Sequence, residues 1–208
     1  MPRRRDGLET RERILQAAAR RFAEFGFVNT TNSDIAKACG GVNHALISYY
    51  FGDKATLYRE SWIFSHEKTI AKYPVDGGVP SGEPAVRRLR AIIRSAILQR
   101  SDPDCLDVDI VWHEISHPTG LLDDVYEKSV QAFRAVLREV VQEMFGDAIS
   151  VEEQRLTVLE IFALCVVPVR QIQRLEGNPE YRFEPEKRID HIYNFAMAGL
   201  ADILRSRK

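Results

Sequence analysis

Cysteine is scarce in this chain: Cys39, Cys105 and Cys165 are the three among 208 residues, and no two form a Cys-x-x-Cys pair. That spacing excludes a disulfide framework and a thiolate metal knuckle, and a reducing cytoplasm is the expected setting. No apolar run reaches the roughly 18 residues that a membrane span needs, so no membrane partner is expected. The basic start MPRRRDGLETRER has no apolar stretch behind it, and no secretory signal is read there. Net charge is also lacking, because 29 Lys and Arg face 30 Asp and Glu for a balance of -1. A global basic field that would draw any polyanion is thereby excluded. The balance is uneven, however: residues 1–60 carry ten basic against seven acidic side chains. Period-two alternation is missing over any useful length, which removes the sheet classes.

What is present is an apolar fraction of 45%, enough for a buried core, spaced in threes and fours. Residues 10–25 place Ile14, Leu15, Ala18, Phe22 and Phe25 on one helical stripe, ended by Gly26. A short helix follows, which Thr31 can cap with Asp34 returning the bond. Gly40 and Gly41 break it. A third begins near Asn43 as cap and closes at Gly52. A longer helix starts near Lys54, and residues 74–84 are too dense in Pro and Gly for a regular element. Further helices are expected over 85–100, 106–116 (stopped by Pro118), 121–145, 152–175 and 186–204. The 152–175 segment carries two apolar stripes: Leu156, Leu159, Ala163 and Val166 on one, Val158, Phe162, Cys165, Val169 and Ile172 on the other. It is therefore covered on two sides. Pro168 inside it is expected to produce a kink.

Two short helices joined by a Gly turn and braced by a first helix have the proportions of a helix-turn-helix. In that unit the second short helix enters the major groove, so its outward side chains must be short or polar. Asn43, His44, Ala45, Ser48 and Tyr49 fill the outward positions here, with Val42 and Ile47 turned inward. Asn43 can pair with adenine, His44 can meet a base edge, and Ala45 a thymine methyl. Tyr50 and Lys54 are placed to reach phosphates, as are Thr30 and Thr31 at the other flank. Arg3, Arg4 and Arg5 read as a basic arm for the phosphates or the minor groove.

The run from residue 10 to 57, with T-x-x-x-I-L-x-A-A, F-A-E-F-G-F, T-T-x-x-D-I-A and A-L-I-S-Y-Y-F-G-D-K-x-x-L, resembles the amino-terminal domain of TetR-family transcriptional regulators. The resemblance implies a homodimeric repressor whose first domain reads a palindromic double-stranded operator and whose larger helical domain binds a small-molecule effector. It implies that recognition opens at Asn43, His44 and Ala45, with Tyr50 and Lys54 on phosphates. Two departures stand out: the turn at 39–42 is one residue longer than the family's usual one, and Ser48 stands where a tyrosine is frequent. A shorter stretch, HEISHPT from His113, resembles the subgroup of cefoperazone and chloramphenicol sensitivity regulators. The expected fold is all-α, a helix-turn-helix DNA-binding domain over 1–54 followed by a helical effector-binding and dimerisation domain over 55–208.

HEISH also satisfies the zinc motif H-E-x-x-H, with Asp123 as a nominal third ligand and Glu114 as the base. Pro118 argues against it, since it disfavours helical geometry at His117 and loosens the one-turn relation between the two histidines. The stretch is read as a helix end, with no metal, no cofactor and no catalytic residue expected. A metallohydrolase and a helical protein-interaction module are the alternative readings. Trp62, Trp112, His113, Tyr126, Phe133 and Phe162 are the expected lining of an effector pocket. The helices near 156–172 and 186–204 are expected to form a four-helix dimer interface.

Overall fold

Capping and breaking residues set most element ends in the computed structural model, which describes residues 3–167 and 183–205. Among these, the helices are α1 (Arg3–Phe25), α2 (Asn32–Ala38), α3 (His44–Phe51), α4 (Lys54–Lys72), α5 (Ala85–Ser101), α6 (Leu106–Ser116), α7 (Asp123–Phe145), α8 (Val151–Val166) and α9 (Pro185–Arg205). No described residue lies in a strand, and no described helix is long and apolar enough to cross a membrane. Thr31 and Asp34 form a reciprocal capping box on α2, and Ser150 with Glu153 forms another on α8. Asn43 caps α3 through its side-chain oxygen, which accepts from the Ala45 amide at 2.9 Å.

The structure bears on three further stretches. The basic residues at 3–5 belong to the first turn of α1 instead of forming an arm. The α8 helix ends at Val166, and Val167 is extended (φ -55, ψ 124), as expected of a residue whose successor is Pro168. The rest of the segment expected to run to residue 175, with Pro168 and its expected kink, Val169 and Ile172, lies outside the described residues. The 74–84 loop is anchored, since Ser95 donates to the Pro74 carbonyl at 2.6 Å and Gly77 packs on the backbone of Ala91.

The chain divides into two compact units, Met1–Thr69 with Pro103–Tyr126, and Ile70–Asp102 with Glu127–Lys208. The expected boundary at residue 54 does not coincide with this division, because α4 as far as Thr69 and residues 103–126 pack with the first unit. The first unit is built on Ile14, Ala18 and Phe22 of α1, Ile35, Ile47 and Phe51 of the short helices, Leu57 and Tyr58 of α4, and Ile110 of α6. All are buried, and the Phe22 and Tyr58 rings meet edge-on at 4.8 Å. The second packs Leu89, Ile92, Ile93 and Ile97 of α5 on Leu137, Val140 and Val141 of α7, Ile161 and Cys165 of α8, and Ile189, Ile192 and Leu200 of α9. Its buried arginine among the described residues, Arg88, is paired with Glu139 and Glu143, as a buried cation requires.

Candidate nucleic-acid interface and ligand cavities

The α2–α3 turn is built from Cys39, Gly40 and Gly41, and both glycines have positive φ (79° and 77°). Consecutive left-handed residues favour glycine, which has no Cβ to clash with its carbonyl. The Gly41 amide closes the end of α2 on the Ala36 carbonyl at 2.9 Å, and Arg13 of α1 donates to the Cys39 carbonyl at 3.2 Å. The extra residue in this turn is thus absorbed by two glycines and tied to α1. With the turn fixed, Ile47 and Phe51 anchor α3 in the core, and Asn43, His44, Ala45, Ser48 and Tyr49 stand exposed on its other side. Tyr49 is 81% exposed, unusual for a ring of its size, and lies edge-on to Tyr50 at 5.3 Å. Tyr50 is half-buried with its hydroxyl close to Gly7 of α1.

Of the remaining positions, Thr30 is placed differently from expectation. Thr30 is fully buried, and its hydroxyl donates to the Gly26 carbonyl at 2.8 Å, so this side chain serves the α1–α2 turn and is withdrawn from any phosphate. Thr31 is exposed, with its hydroxyl 2.6 Å from the Asp34 carboxylate. Hydrogen bonds from the Thr31 side chain and amide hold the Asp34 carboxyl below its ordinary range. The Lys54 ammonium donates to the carbonyls of Phe27 (2.8 Å) and Thr30 (3.0 Å) and sits 4.2 Å over the Phe27 ring. It has three donors, so one N–H is left for a further acceptor.

Around HEISH the geometry is that of a clamp. His113 Nε2 donates to the Ala23 carbonyl of α1 at 3.2 Å, and the histidine ring lies against Gly26. Glu114 is buried and accepts from the Tyr58 hydroxyl (3.0 Å) and from the amides of Thr119 (2.7 Å) and Gly120 (2.9 Å). A buried carboxylate so surrounded is satisfied without a metal or substrate. Burial, and then the Glu114 charge and hydrogen bond, push the Tyr58 phenol well above its usual range, so it stays a donor. His117 has left the helix (φ -141, ψ 77) ahead of Pro118. No three metal-ligating side chains gather among the described residues.

Next to this clamp is a cavity of about 360 Å³ inside the first unit, lined by the α1–α2 turn from Phe25 to Asn29, by Tyr58, and by His113, Glu114, His117 and Thr119. Of the six expected pocket residues, His113 lines it. Trp62 is in the core of the same unit, stacked on His66 at 4.7 Å, and Trp112 and Tyr126 are half-buried there. Phe133 and Phe162 belong to the second unit, with ring centroids 5.5 Å apart. Tyr58 and Phe27 went unread in the sequence because the aromatic spacing of α4 and the turn says nothing of what packs across from them. Cys165 is fully buried, and burial pushes its thiol up to about 11, the behaviour of a small apolar side chain.

A long brace, two short helices across a glycine turn, and an outward row on the second define a helical DNA-binding protein of the helix-turn-helix class. Residues 14–60 match the bacterial regulatory proteins of the tetR family, and residues 85–200 match the C-terminal domain of the HTH-type transcriptional dual regulator CecR. The second match spans more than half of the chain, which belongs to the TetR family of transcriptional regulators with a CecR-type C-terminal domain. The HTH-type transcriptional regulator AcrR of Shigella flexneri is 39% identical over 81 residues, 35% of this chain and 37% of that protein. Among solved structures, AibR in complex with isovaleryl coenzyme A and operator DNA superposes with a TM-score of 0.71 at 19% identity, over 89% of this chain and 97% of that one. The fatty acid degradation regulator FadR of Bacillus halodurans gives 0.67 at 18%, over 90% and 98%. At these identities the structures speak for the shared fold.

Proposed function

We propose that the protein is a ligand-responsive repressor that binds a palindromic DNA operator as a homodimer and is released by a small apolar or amphipathic effector. The observation that carries the reading is the split of α3, with Ile47 and Phe51 buried and Asn43, His44, Ala45, Ser48 and Tyr49 exposed together. His44, Ala45, Ser48 and Tyr49 read base edges; Asn43, whose oxygen is spent on the cap, has its amide N–H groups to offer. Tyr50, Thr31 and the free N–H of Lys54 hold phosphates and set the register. Two copies pair through α8 and α9, so that both recognition helices meet one face of the duplex about 34 Å apart or a multiple of it. An effector that changes this separation weakens operator binding without touching the reading residues. A ligand of the kind bound in AibR, an acyl thioester with an apolar tail, is consistent with the cavity that Phe25, Phe27 and Tyr58 line. The protein acts in the cytoplasm and is not an enzyme, since the one motif that reads as catalytic spends Glu114 on Tyr58, Thr119 and Gly120.

The test is fluorescence anisotropy against palindromic and scrambled duplexes over a range of salt. His44→Ala and Tyr49→Ala are expected to lose about 1–3 kcal/mol at particular base positions while leaving the salt slope unchanged. Absence of duplex binding even at low salt, or equal operator affinity with and without a saturating confirmed effector, would sink the proposal.

A further inference from the structure

The second unit carries a cluster of cations that the DNA-reading residues do not engage. Arg134 and Arg138 lie one turn apart on α7, Arg155 stands in the first turns of α8, and with Gln154, Val158 and Leu159 they line a groove of about 260 Å³. Other arginines of this unit are matched by carboxylates: Arg88 by Glu139 and Glu143, Arg90 by Asp190, Arg94 by Glu186. Arg134, Arg138 and Arg155 have no such partner among the described residues. The guanidinium of Arg134 lies 4.8 Å from the centroid of the Phe162 ring, while its Nε is buried without an acceptor. Gln154 is held in place by the Gln142 side chain.

Gathering like charges costs energy that a bound anion returns. The shape of the lining selects the anion. Each guanidinium presents a planar fork that fits two oxygens, and a single carboxylate satisfies only one fork, whereas a phosphate has three terminal oxygens to share among several. The floor is not polar: Leu159 stands 45% exposed beside the cations, with the edge of the buried Val158 next to it. We infer that this α7–α8 groove binds a phosphate ester, its phosphate held by Arg138 and Arg155 with Arg134 behind them, and its organic part resting on Val158 and Leu159. The inference stands apart from the repressor reading, because it is tested by binding and not by release of DNA.

A matched trio tests it on the full-length protein: phenyl phosphate, inorganic phosphate and benzoate, followed by calorimetry and by the arginine side-chain N–H resonances. Phenyl phosphate is expected to bind at one site per chain, with inorganic phosphate and benzoate each weaker by about tenfold. Arg138 and Arg155 are exposed, so Arg138→Ala and Arg155→Ala should leave the melting curve in place while each weakens phenyl phosphate by about tenfold. Arg134→Lys keeps the charge without the fork and is expected to weaken it as well. Equal binding of benzoate marks a general anion patch, and equal binding of inorganic phosphate leaves the apolar floor without a role; either overturns the inference. So does an Arg155→Ala protein that binds phenyl phosphate normally but shifts its monomer–dimer equilibrium, because the arginines would then be serving a second copy of the chain.

Discussion

Gly77 and Gly82 sit in the same Pro- and Gly-rich loop and read alike in the sequence, yet the structure separates them. Gly77 has φ +74, and a Cβ added there would lie 2.4 Å from the carbonyl carbon of Ala91, while a Cβ at Gly82 meets nothing within 4 Å. A left-handed backbone alone costs an L-residue roughly 1–2 kcal/mol, and the overlap with main chain adds to it. Gly77→Ala should therefore lower the urea midpoint by the equivalent of about 2 kcal/mol or more with an unchanged slope, and Gly82→Ala should leave it in place. Matching midpoints for the two variants would refute the account. The same limit on legibility applies to Thr30 and Lys54. Their residue types and spacing fit a phosphate contact, but the Gly26 carbonyl takes the Thr30 hydroxyl, and the Phe27 and Thr30 carbonyls, which come to Lys54 only in three dimensions, take two of its three N–H groups.

At the level of the element, the ends that carry a local signal were readable: the Thr31 cap with Asp34, the Asn43 cap, and the stop of α6 before Pro118. Each depends on residues within four positions of one another. The start of α1 at Arg3 was not, because Arg3, Arg4, Arg5 and Asp6 add nothing to the apolar stripe that marks the helix further on. Nor was the packing of α6 on α1, which brings His113 to Ala23 across 90 positions of sequence. The α2 cap also has a pH signature. The Asp34 carboxyl is lowered from 3.8 mainly by the Thr31 hydroxyl and amide, so its contribution to folding is fully present above the unfolded value and is lost as pH falls through the lower folded one. Asp34→Ala should accelerate amide exchange at Ile35 and Ala36 near neutral pH, and the difference from the parent should narrow once pH drops below 3.8. A difference that stays constant across that range would show that the carboxylate does not act through its charge.

On the scale of the whole molecule, what matters is which apolar faces a single chain leaves uncovered. In α8 the stripe of Val158, Ile161 and Cys165 is buried within the unit, while Leu156 is 50% exposed with Ala163 beside it. In α9 the row of Ile189, Ile192, Ala196 and Leu200 is buried, and Phe195 remains 63% exposed, followed by the small exposed residues Ala198 and Gly199. The double striping of the 152–175 segment announced a helix covered on two sides, but among the described residues only one of them is covered. Burying a leucine or phenylalanine side chain stabilises by about 1.5–3 kcal/mol, so a few such residues on each of two copies amount to a substantial gain on association. Placing a carboxylate there reverses the sign, because the charge must be desolvated opposite its own symmetry mate. Leu156→Glu and Phe195→Glu are each expected to shift a dimer toward monomer in light scattering, with little change in helix content. Operator affinity should fall in step, since a monomer reads only one half-site. A charged variant that remains dimeric would place the interface elsewhere, and a monomeric one with full operator affinity would break the link between pairing and reading.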